Sequence, residues 1–84
     1  MRRYRVVASS RFRRDLDKLD PETHRRIVKR LELLETDPTA GRQLVAVRIG
    51  QWRVRVGDYR IRYDIEGDQV LLYRVRHRRD VYRE

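Results

Sequence analysis

Gln51-Trp52-Arg53-Val54-Arg55-Val56, then Gly57-Asp58, then Tyr59-Arg60-Ile61-Arg62-Tyr63 is the stretch that decides the fold. Both runs alternate apolar and charged residues with a period of two, the pattern of half-buried strands. Gly57-Asp58 suits a two-residue hairpin turn, which fixes the register. Val56 then faces Tyr59, Arg55 faces Arg60, Val54 faces Ile61 and Arg53 faces Arg62. Trp52, Val54, Val56, Tyr59, Ile61 and Tyr63 share one apolar face, and four guanidinium groups crowd the other. Like charges directly opposite in a sheet are destabilising, so a sequence that keeps them points to a polyanion on that face. The competing reading is a solvated strand face in an arginine-rich proteome. By the crowding argument alone, Arg62→Glu raises thermal stability at low salt.

Working outward, Val70 to Val75 reads as the last strand, interior because Val70-Leu71-Leu72-Tyr73 is almost continuously apolar. Counting across the turn at Gly67-Asp68 puts Tyr73 and Val75 beside Arg62 and Arg60. Upstream, Tyr4 to Ala8 is a short strand, and Ser9 or Ser10 caps a helix over residues 10 to 19. Phe12, Leu16 and Leu19 form its buried stripe. Asp20-Pro21-Glu22 starts a second helix with an aspartate cap and proline at the first helical position. Ile27, Leu31 and Leu34, with Val28 beside them, form its apolar face before Asp37-Pro38 ends it. Gln43 to Arg48 reads as a further strand, and residues after His77 as a basic tail. The order βααββββ defines an α+β fold: an antiparallel helix hairpin on one face of a mostly antiparallel twisted sheet, a single domain over residues 1–84.

The chain carries 22 lysines and arginines against 13 acids, for a net charge of +9. Only two of these cations are lysines, and arginine's planar fork grips phosphate in a bidentate way. Such a surface fits nucleic acid or an acidic protein partner. No long basic amphipathic helix and no apolar run of membrane-spanning length occurs, so a membrane partner is not expected and a soluble, cytoplasmic protein is. Cysteine is absent, which excludes disulfides and thiolate metal sites. With two histidines, no carboxylate cluster and no glycine-rich phosphate loop, neither a metal nor a nucleotide cofactor is expected.

Phosphodiester cleavage needs cations on the developing phosphorane and groups that move protons. Arg53, Arg55, Arg60 and Arg62 supply the first, with Arg76, His77, Arg78 and Tyr82 brought to the rim. Tyr82, His77 and Tyr73 are the proton-moving candidates. Tyr82 also fits base stacking or plain packing on the sheet edge, and His77 a hydrogen-bonded surface histidine. Asp58 and Asp64 read as a turn former and a charge partner, and Trp52 as core.

Leu19, Pro21, Asp37-Pro38, Gly41, Leu44, the block Trp52 to Tyr63 and the terminal His77-Arg78-Arg79-Asp80-Val81-Tyr82 together resemble the RelE/ParE toxin superfamily, and its RelE branch more than its ParE branch. The resemblance spans essentially the whole chain. It implies a type II toxin-antitoxin toxin that cleaves mRNA on the ribosome without a metal, by 2′-hydroxyl attack that leaves a 2′,3′-cyclic phosphate. By motif position it implies that Arg53, Arg55 and Arg60 hold the phosphate, that Arg78 stabilises the transition state or protonates the leaving group, and that Tyr82 is base or stacking group. Arg60, Arg78 and Tyr82 are then the expected catalytic set, and Arg53 and Arg55, with Arg62, Arg76 and His77 from the charged face, the expected RNA phosphate-binding set. Arg53 and Arg55 stand where family members carry lysines, and arginine's high pKa restricts them to electrostatics. The implied partners are a cognate antitoxin whose acidic or amphipathic segment wraps the toxin, the ribosome with its mRNA, and operator DNA through the antitoxin. The alternatives are a ParE-like inhibitor of DNA gyrase and a basic nucleic-acid-binding module without catalysis.

Overall fold

The computed structural model describes residues 3–81. Five strands form one sheet in the order β1-β5-β4-β3-β2. These are β1 (Arg5–Ala8), β2 (Arg42–Gln43), β3 (Trp52–Val56), β4 (Tyr59–Glu66) and β5 (Gln69–His77). β1 runs parallel to β5, and the other neighbours are antiparallel. Helices α1 (Ser10–Asp17) and α2 (Pro21–Leu34) cover one face, and a short helix α3 (Arg78–Val81) follows β5. The α+β architecture expected from the sequence is therefore present, with β5 interior.

Each helix starts where its capping residue dictates. The Ser9 hydroxyl accepts the Phe12 N–H at 3.1 Å, and the Asp20 carboxylate accepts the Thr23 N–H at 3.1 Å with Pro21 at the first helical position. The Thr23 hydroxyl also donates to Asp20, at 2.6 Å, and these bonds hold its carboxyl below the ordinary value. Phe12, Ile27 and Leu34 are buried against Val54, Val56, Ile61, Tyr63, Val70, Leu72 and Val75, with Leu16, Leu19, Leu31 and Trp52 packed around them. Val28 lies at the margin of that face and is exposed. At the bottom of the core the Tyr63 hydroxyl donates to the Pro38 carbonyl at 2.6 Å. The ring of Trp52 stacks on that of Tyr63 with centroids 6.3 Å apart.

The hairpin register is the one the sequence dictates, Val56↔Tyr59 through Trp52↔Tyr63. Gly57 takes φ 58, the left-handed value a two-residue hairpin turn needs at its first position. Two sequence expectations are corrected. Gln43 to Arg48 is not a strand: β2 ends at Gln43, one further bond runs from the Leu44 N–H to the Gln51 carbonyl (2.6 Å), and Ala46 has φ 60, which breaks an extended run. The second correction concerns β5. Glu66↔Gln69 through Tyr63↔Leu72 follow the expected count, but the register shifts there, and Arg62 pairs with Arg74 and Ile61 with Val75. Tyr73 is the extra residue of a β-bulge.

The bulge sits where β1 ends and α1 begins. The Ser9 N–H donates to the Leu72 carbonyl (3.1 Å), and its hydroxyl donates to the Tyr73 carbonyl (2.9 Å). Asp15 then accepts the Val75 N–H at 3.2 Å, taking over the open edge of β5 that β1 no longer covers. Val75 is consequently core rather than a neighbour of Arg60 on the charged face.

Candidate nucleic-acid interface

Because Val54, Val56, Ile61 and Val75 point into the helical layer, the residues between them point to the other side of the sheet. The pairings assemble two rows of arginine there. Arg42, Arg53, Arg62 and Arg74 lie in register across β2 to β5, and Arg55, Arg60 and Arg76 across β3 to β5. Neighbouring strands are about 4.8 Å apart, so guanidinium groups stand close enough for one nucleic-acid backbone to meet several. Arg53, Arg55, Arg60 and Arg62 thus share a face as expected, joined by Arg76.

Arg62 and Arg74 of the first row are held by the protein itself. Arg62 donates from Nε to the Gly50 carbonyl (3.0 Å) and from Nη2 to the Ile49 carbonyl (2.8 Å). Asp64 accepts the N–H groups of Gly50 and Gln51 at 2.7 and 2.8 Å. It is a clasp for backbone, where the sequence reading had it as a charge partner. Together these residues hold the 44–51 loop against that half of the outer face. At the β5 end of the row, Arg74 Nε lies 2.8 Å from the Asp15 carboxylate, and this hydrogen bond raises the guanidinium pKa further above its ordinary value.

The second row leads to the chain's last helix. The Arg78 N–H donates to the Asp58 carbonyl at 2.8 Å, which ties the start of α3 to the β3–β4 turn beside Arg55 and Arg60. The Arg78 side chain is exposed there. His77 is not brought to the arginine face. It pairs with Tyr59, and its ring meets the Tyr59 ring edge-on with centroids 5.2 Å apart. Its Nδ1 accepts the Arg79 N–H at 3.2 Å, so its role in the structure is to start α3. Successive strand residues point to opposite faces, so His77 and Arg76 leave β5 on different sides. His77 and Arg76 both reach a cleft of about 250 Å³ that Asp15, Lys18 and Asp80 also line. Tyr82 lies outside the described residues.

Two members of the rows, Arg42 and Arg74, escape the sequence reading. Arg42 stands one residue before the strand expected from Gln43, and an arginine beside a short edge strand was the available signal. Arg74 was hidden by the bulge. At the β2 edge, Arg42, Arg53 and Arg55 line a notch of about 300 Å³ with Ala40 and Gly41. Among the described residues, no group of three or more histidine, cysteine or carboxylate side chains converges. No helix among them is long and apolar enough to cross a membrane.

Residues 6–82 match the family described as the ParE toxin of the type II toxin-antitoxin system parDE. Among solved structures, the chain resembles one from the toxin-antitoxin complex RelBE2 of Mycobacterium tuberculosis, with a TM-score of 0.80 and 32% identity over 89% of this chain and 98% of that one. It shares its fold with a chain of the RelB-RelE complex of Methanococcus jannaschii (TM-score 0.76, 23% identity, 92% and 95% covered). The same holds for the RelE-RelB complex of Pyrococcus horikoshii (TM-score 0.78, 23% identity, 93% and 97% covered). No curated protein matches the sequence. With a family match over nearly its full length and RelE-type complexes as structural neighbours, the chain belongs to the RelE/ParE superfamily of type II toxins, through its ParE toxin family.

Proposed function

We propose that this toxin is a metal-independent endoribonuclease acting on mRNA in the ribosome. The observation that carries the reading is the row Arg55–Arg60–Arg76 ending beside Arg78, whose backbone is tied to Asp58. A phosphorane forming between these groups meets fixed positive charge with no further reorganisation. In the proposed step the 2′-oxygen loses its proton and bonds to phosphorus while the bond to the 5′-oxygen breaks. That oxygen leaves with a proton, and a 2′,3′-cyclic phosphate remains. Arg60 and Arg78 stabilise the added charge, and Arg53, Arg55 and Arg76 hold the flanking backbone. Tyr82 carries its role as base or stacking group by motif position.

The partner that restrains this activity is a cognate antitoxin whose acidic or amphipathic segment covers the basic face. The RelBE2 and RelB-RelE neighbours are toxin-antitoxin complexes, and the third is a RelE-RelB complex. Operator DNA is reached through the antitoxin.

The match to a ParE family supports a second reading, inhibition of DNA gyrase. Induced expression separates the two. Ribosome-dependent cuts mapped by primer extension, lost in Arg60→Ala and Arg78→Ala, are expected for the nuclease. Intact mRNA with blocked gyrase supercoiling would overturn that reading in favour of the second.

A further inference from the structure

We infer that His77 is a positioning residue for Arg78: as a neutral imidazole it locks the start of α3, and a proton on its ring unlocks it. The inference rests on the nuclease reading for the role of Arg78, and goes beyond it in naming what holds that residue and what releases it.

Two peptide N–H groups flank the Arg78 Cα, and both are tied down. Its own N–H donates to the Asp58 carbonyl at 2.8 Å, and that of Arg79 donates to His77 Nδ1 at 3.2 Å. Holding both peptide planes fixes the two backbone dihedrals of Arg78, and with them the direction in which its side chain leaves. The imidazole is itself oriented, because it meets the ring of its strand partner Tyr59 edge-on, at an interplanar angle of 90°. An Nδ1 that accepts a hydrogen bond carries no proton, so this bond exists only with the neutral ring. In the imidazolium both nitrogens donate, and Nδ1–H would confront the Arg79 N–H. Histidine is the side chain suited to change charge between about pH 5 and 8. The cleft beside the ring carries both signs of charge: Lys18 from α1 and Arg74 and Arg76 from β5 oppose a cation, while Asp15, bonded to Arg74, and Asp80 of α3 favour one. Acid therefore removes the cap on one side of Arg78 and leaves the bond to Asp58 on the other.

The test uses the isotope-labelled full chain in nuclear magnetic resonance. An N–H···N hydrogen bond transmits a nitrogen–nitrogen coupling. One between the Arg79 amide and His77 Nδ1 is expected at about pH 7 and is lost by about pH 5, in step with protonation of that ring. His77→Asn supplies a side-chain oxygen that accepts the same N–H two residues on and does not titrate. His77→Phe keeps a ring against Tyr59 and removes the acceptor. In ribosome-dependent cleavage the kcat of the parent is expected to fall with acid, and His77→Asn to remove that fall. His77→Phe should run up to about 100-fold slower at both pH values with KM little changed, the scale of a small displacement of a catalytic group. A coupling absent at about pH 7, or one that persists while the ring takes up its proton, overturns the inference. So does an acid fall equal in the parent and His77→Asn. Absent cleavage by all three proteins, with the coupling lost in step with the ring, counts against the nuclease reading alone and leaves the cap standing.

Discussion

Asp15 and Arg74, on α1 and β5, are joined by two hydrogen bonds, 2.8 Å from Nε and 3.1 Å from Nη2, and the same carboxylate receives the Val75 N–H. One side chain thus neutralises an arginine of the first row and finishes the edge that β1 leaves uncovered. Asp15→Ala strands a partly buried cation and a backbone donor together. The expected loss is about 2 kcal/mol, since hydrogen bonds to charged groups each contribute on that order. Urea denaturation reads it as a lower midpoint, and an unchanged midpoint would mean water replaces the carboxylate without cost.

Arg62 reverses the expectation drawn from charge crowding. Its donors hold two loop carbonyls at 3.0 and 2.8 Å, so Arg62→Glu removes both bonds and sets a carboxylate against them. We expect a destabilisation of about 2 kcal/mol at low salt, larger than the relief of one like-charge pair, which is at most about 1 kcal/mol. Thermal melts at low and high salt decide the sign. Stabilisation at low salt would restore the crowding argument.

Tyr63 ties stability to alkaline pH. Burial is the main cause that raises its phenol above the ordinary 10.0. The unfolded chain therefore gives up this proton more readily than the folded one. The contribution is fully present below pH 10 and is lost as pH climbs through the folded value. Tyr63→Phe forfeits the bond to Pro38, about 1 kcal/mol, but should flatten the alkaline limb of the stability profile. Parallel limbs for the two proteins would show that another group controls it.

Gly41 lies under two rigid neighbours. A Cβ there would overlap the Tyr63 hydroxyl and sit 2.6 Å from the Arg53 carbonyl oxygen. Gly41→Ala forces the start of β2 away from β3 and is expected to cost about 1–3 kcal/mol, the range for overpacking. The same shift would carry Arg42 out of its notch, so weaker oligonucleotide binding should accompany the lower melting temperature. A melting temperature equal to that of the parent would show that the chain moves aside freely.

Much of this was legible because local patterns agree with the global fold. The alternation around Gly57-Asp58 set the β3–β4 register pair by pair, and the caps at Ser9 and Asp20 located both main helices. What escaped depends on contacts distant in sequence. The bulge at Tyr73 answers to Ser9 and Asp15, and nothing in Val70 to Val75 announces an extra residue. Val45 reads as strand but is 91% exposed, because the chain after Gln43 is shaped by Arg62 and Asp64 rather than by its own apolar residues. The same blindness covered two arginines of the first row, since Arg42 and Arg74 join it only through register. His77 looked like a member by its position in the chain and was separated by the pleat.

The parallel pairing of β1 with β5 has a consequence for synthesis. Ser9 and Tyr73 are 64 residues apart, yet their bond helps seat the central strand on which the charged surface is built. Loop closure over so long a span is slow, and contacts between distant segments delay folding. While the chain emerges from the ribosome that made it, the helical layer has no completed sheet beneath it until most of its length is free. A toxin whose sheet closes this late leaves an interval during synthesis in which an antitoxin can arrive before the charged face is complete.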